Sequence, residues 1–88
     1  MGPQVVLSVF KDRIRRLCAE GNYDQALLDA NRLIEESADA AAPWVIRASI
    51  LRDAKRFGEA AGDFAEAAKR DPADPAVWFG LGLCSFRL

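Results

Sequence analysis

An all-α fold, assembled from antiparallel helix-turn-helix units, is what this 88-residue sequence predicts, and three features of the chain predict it. Sixteen residues are alanine, which loses no side-chain entropy in a helix. Threonine is absent and β-branched runs are few, which argues against a sheet. Apolar residues recur three and four apart in segments of about 12 to 17 residues, the helical period, separated by short breaks. With 51% apolar and 28% charged residues, the chain can build one small core, and its length holds a single domain.

The first predicted helix covers roughly 4–20 and stops at Gly21-Asn22. The second covers 24–37, with Asp24 or Asn22 available as its cap, and ends at Ser37-Ala38-Asp39. Pro43 opens the third, 42–54, at a first-turn position where the missing N–H costs nothing. Lys55-Arg56 before Phe57-Gly58 separates it from the fourth, 58–69. Asp71-Pro72-Ala73-Asp74-Pro75 then leads into the fifth, 74–88, with Asp74 as cap and Pro75 in its first turn. Glu35-Glu36 stands near a helix C-terminus, mildly against the helix dipole. Connections of a few residues force neighbouring helices antiparallel.

These units repeat. A shift of 34 residues superposes Phe10 on Trp44 and Trp78, Leu17 on Leu51, Tyr23 on Phe57, Ala26 on Ala60 and Leu33 on Ala67. Arg13 falls on Arg47 and Asp29 on Asp63 by the same shift. What recurs is side-chain bulk and polarity, with small residues such as Ala26 and Ala60 where two helices cross closely.

Composition excludes much chemistry. No histidine is present, so there is no imidazole acid–base group, no Ser-His or Cys-His nucleophile pair and no His metal ligand. Thirteen carboxylates are scattered without an acid–base pair; catalytic, cofactor and metal sites are not expected. Twelve Lys and Arg against thirteen Asp and Glu give a net charge of −1, without the basic excess of a nucleic-acid binder. No apolar run approaches membrane-spanning length, and Met1 to Phe10 lacks the basic start and cleavage site of a signal peptide. Cys18 and Cys84 form no CxxC; both are expected to pack as small apolar residues in a reducing, cytoplasmic setting. Gly80 and Gly82 form a GxG inside a helix, where they allow close helix approach and do not build a phosphate loop.

On these residues the chain resembles the tetratricopeptide repeat family, whose 34-residue pattern the second unit, 41–74, follows with Trp44, Ala48, Leu51, Phe57, Ala60, Phe64, Ala67 and Pro72. The third, 75–88, follows it with Trp78, Leu81 and Gly82, and the first, 7–40, with Phe10, Leu17, Tyr23, Ala26 and Leu33, after an extension over 1–6. Arg13 and Arg47 stand where the pattern has Leu, Ile14 at a small position, and Ala30 at an aromatic one. The resemblance implies a right-handed α-solenoid of two full repeats and the first helix of a third. It also implies a protein-interaction module without catalytic activity, binding a peptide or helix in a concave groove. Family contact offsets carried onto this chain give a groove with a basic end, Lys11, Arg15 and Arg52, and an apolar end, Val45, Phe79 and Leu83, with Ser49 between. A segment with an acidic residue beside an apolar anchor would complement it. The carboxylate clamp by which some members grip chaperone C-termini is missing. Lys11 fits that clamp, but Arg15, Ile46, Ala76 and Gly80 stand where Asn, Asn, Lys and Arg are expected.

The apolar stretch Val77–Phe86 lacks a hairpin partner, and solenoid ends are ordinarily polar. Either the repeats continue in a longer protein, or the face built on Val77, Leu81 and Phe86 associates with a second copy or another protein. The competing functional readings are thus a small assembly chaperone or self-associating scaffold, and the substrate-recruiting part of a larger enzyme.

Overall fold

The computed structural model describes the backbone of residues 3–87 and the side chains of residues 9–84 and 86. Five helices follow one another: α1 (Pro3–Ala19), α2 (Tyr23–Glu36), α3 (Ala41–Asp53), α4 (Phe57–Arg70) and α5 (Pro75–Arg87). Helix α1 starts at Pro3, one residue before the start that the sequence predicts. Each helix packs on its neighbours in the chain, and α3 also meets α1 and α5, whereas α2 and α4 do not touch. The odd-numbered helices therefore lie on the inner, closer side of the stack.

The backbone repeats at the shift that the side chains predicted. The α1–α2 turn places Gly21 at φ 76°, and the α3–α4 turn places Lys55, 34 residues on, at φ 64°. In the first turn the Gly21 N–H donates to Cys18 and that of Asn22 to Leu17; in the second, Lys55 donates to Arg52 and Arg56 to Leu51. This pair of bonds closes a helix end on a left-handed residue. Asn22 makes no side-chain cap, contrary to one of the two expected caps of α2, and its backbone, at φ −89° and ψ 66°, is outside the extended conformation usual for a capping residue. The other, Asp24, lies inside the first turn of α2. Asp74 caps α5 as expected, accepting from the Ala76 N–H at 3.0 Å.

Trp44 and Trp78 sit in matching backbone surroundings. The indole Nε1 of Trp44 donates to the Ala38 carbonyl at 2.9 Å and that of Trp78 to Pro72 at 2.7 Å, each six residues back. Ala26 and Ala60 are fully buried at the helix crossings. One cluster joins Ile14, Ala26, Ala30, Leu33, Ile46 and Ile50 across α1, α2 and α3. A second joins Ala48, Leu51, Ala60, Phe64 and Cys84 across α3, α4 and α5. The core thus runs through the stack and is shared between units.

The departures from the family pattern have structural reasons. Arg13 Nε lies 2.9 Å from Asp29 Oδ2, and Arg47 grips Asp63 through Nε at 2.7 Å and a second nitrogen at 2.8 Å. Each unit thus ties its first helix to its second with an Arg–Asp pair whose aspartate is buried. Asp29 Oδ2 is within ion-pair distance of Arg13 yet has no aligned hydrogen bond, so the first pair is the looser one. Asp63 raises the pKa of Arg47 by hydrogen bonding, against a smaller opposing effect of burial. Arg47 also donates to Asn31 at 3.0 Å, joining the second unit to the first.

Candidate interaction groove

Between α1 and α3 an open cleft of about 590 Å³ is lined by Lys11, Ile14, Arg15, Cys18, Ala19, Tyr23, Val45, Ile46, Ser49, Ile50 and Asp53. Both helices belong to the inner layer, so this is the inner face of the stack. Four of the expected groove residues, Lys11, Arg15, Val45 and Ser49, meet here. Ile14, Ile46 and Ile50 form an apolar floor of buried side chains, while Lys11 and Arg15 are exposed at the rim. Among the described residues neither cation enters an ion pair. Ser49 donates its hydroxyl hydrogen to the Val45 carbonyl at 2.9 Å, which leaves its oxygen as an acceptor for a bound segment.

Asp53 places one carboxylate at the same cleft. The Cys18 pKa is raised, first by burial and then by the Asp53 charge, which holds this lining thiol toward its neutral form. The floor residues Ile14 and Ile50 and the lining residue Tyr23 were not expected in the groove, and Ile46 was noted only as departing from the carboxylate clamp. The available signal was that Ile14 breaks the small-residue pattern at a position facing the cleft.

Three expected groove residues lie elsewhere. Arg52 is half-buried and does not line the cleft; its charge acts on Cys84 of α5, whose pKa is nonetheless raised because burial dominates. Phe79 and Leu83 are on α5, exposed by 68% and 37%, and extend the accessible apolar surface beyond the cleft. The face expected from Val77, Leu81 and Phe86 does not form one surface. Val77 is fully buried and Leu81 packs against the second cluster, because α5 turns them and Cys84 onto α4. The exposed apolar residues of α5 are Trp78, Phe79, Leu83 and Phe86.

No described helix is long and apolar enough to cross a membrane. Among the described residues no group of His, Cys, Asp and Glu could hold a metal ion.

A family model described as tetratricopeptide repeat matches the chain over residues 12–75 and again over 47–88. Neither curated proteins nor solved structures give a match.

Proposed function

This chain belongs to the tetratricopeptide repeat family, whose repeats generally serve protein–protein interaction, and we propose that it binds a peptide or helical segment of a partner protein along its inner face. The observation that carries the reading is the cleft itself: an apolar floor of Ile14, Ile46 and Ile50 beneath the exposed cations Lys11 and Arg15. A segment with an acidic residue next to an apolar anchor satisfies both. The carboxylate meets the guanidinium or ammonium at the rim, and the anchor leaves water on the floor at about 25 cal/mol per Å² of apolar area buried. The groove is formed by packed helices, so little binding energy is lost in ordering the receptor.

The test uses a fluorescent synthetic peptide carrying two glutamates followed by leucines four residues apart. Binding to the chain should weaken about tenfold when Lys11→Glu and Arg15→Glu are combined, two exposed pairs of up to ~1 kcal/mol each, and should fall with salt. The bound peptide should also shield Cys18 from a thiol reagent. Unchanged affinity after the double reversal, or an equally reactive Cys18 at saturation, would remove the cleft from the mechanism.

A further inference from the structure

The residues lining the cleft between α1 and α3 include three pairs 34 apart: Lys11 with Val45, Arg15 with Ser49, and Ala19 with Asp53. The two helices therefore run side by side in the same direction, and the pairs mark successive levels along the cleft. Lys11 and Arg15 stand at the first two levels. Asp53 stands at the last, eight residues beyond the Lys11 level, which is about 12 Å at 1.5 Å per residue. The cleft is thus cationic at one end and anionic at the other, with Ile14, Ile46 and Ile50 between them.

Asp53 is placed against local preference. It is the last residue of α3, where the helix dipole disfavours a carboxylate, and Ala19 ends α1 at the same level. It is exposed, and among the described residues it enters no ion pair, although Arg52 and Lys55 stand beside it in the chain. Its charge reaches Cys18 of α1, across the cleft. Tyr23, the first residue of α2, follows Ala19 by four residues and brings an aromatic ring to this end of the lining. A carboxylate, two helix C-termini and an aromatic ring together suit a guanidinium or ammonium group.

We propose that the Asp53 end of the cleft is a cation subsite. The partner segment then carries an arginine or lysine about 12 Å from its acidic residue, with the apolar anchor between them. This subsite rests on the groove proposed for the inner face and adds a third point of recognition to it. Opposite charges at the two ends fix the direction in which the segment lies. A segment acidic at both ends would bring a carboxylate against Asp53, so the subsite also rejects purely acidic partners. Arginine fits better than lysine, since a planar guanidinium stacks on an aromatic ring as it donates to a carboxylate.

The probe is the fluorescent acidic peptide with an arginine added eight residues beyond its second glutamate. Two further peptides carry glutamine or glutamate at that place. With the parent chain, affinity should fall from arginine through glutamine to glutamate, about fivefold in the first step. Asp53→Asn should bring the arginine and glutamine peptides within about twofold of each other. Its Tm should rise slightly, because the lost charge opposed the helix dipole. Asp53→Lys should invert the order and make the glutamate peptide the tightest. Three peptides bound alike by the parent chain, or an order that survives Asp53→Lys, would overturn the cation subsite. The groove itself stands in that case if Lys11→Glu with Arg15→Glu still weakens all three, and goes with the subsite if it does not. A dimer of the free chain that Asp53→Lys dissolves would make a second copy the occupant and overturn the proposal as well.

Discussion

At the residue scale the most economical account is of the two left-handed positions. Gly21 and Lys55 carry the same backbone duty, at φ 76° and 64°, but only glycine holds it without a Cβ clash, a difference of about 1–2 kcal/mol. Lys55→Gly should therefore raise stability by roughly 1 kcal/mol after the extra freedom of the unfolded glycine is subtracted. Gly21→Ala should lower it by a similar amount. Urea unfolding of the two variants checks both signs, and a Lys55→Gly chain no more stable than the parent would deny the equivalence. Both positions were legible as breaks, but the strain at Lys55 was not. Lysine gives no compositional sign of a positive φ, and only its distance of 34 residues from a glycine could have shown it. The Arg–Asp pairs were half legible for the same reason. Each residue was visible as a repeated identity, whereas the contact joins side chains on two helices, Arg47 to Asp63 across the hairpin.

At the scale of the element, bulk is exchanged between helices rather than conserved at a position. Phe64 of α4 is nearly fully buried and needs Gly80 of α5 to have no side chain. In the preceding unit the same two positions are Ala30 and Ile46, which share one cluster. A large residue faces a small one in both cases, with the roles reversed, which keeps the volume between consecutive units filled. Gly80→Ala should cost about 1–3 kcal/mol, because the added methyl meets a ring held in the core. The double change Phe64→Ala with Gly80→Ile installs the arrangement of the earlier unit and should recover most of the loss caused by Phe64→Ala alone. Thermal unfolding of the single and double variants measures the coupling; strictly additive losses would show that the two side chains do not share one space. Read singly, Ala30 is a missing aromatic and weakens the first unit. The compensation becomes visible only when α3 is packed against α2, which is why pattern matching along one unit could not supply it.

For the whole molecule, one consequence of stacking is that helices differ in how many neighbours support them. The inner position of α1, α3 and α5 was foreseeable from the repeat, and so was a cleft edged by Lys11 and Arg15. The orientation of α5 was not, because nearly every residue from Val77 to Phe86 is apolar or small and the sequence offers no polar face to fix its rotation. Packing decides it by burying Val77, Gly80 and Cys84. Helix α3 touches all four others, each of the rest touches two, and α1 and α5 stand at the ends of the array. In a linear array stability is close to a sum of nearest-neighbour interfaces, so local opening should start at the ends. Native-state hydrogen exchange should then be slowest in α3, intermediate in α2 and α4, and fastest in α1 and α5. A ligand in the cleft touches α1 and α3 together and should slow α1 selectively, leaving α5 as it was. Uniform protection across all five helices would mean a single cooperative globule in place of an array, and a ligand in the cleft could then not shield one end alone.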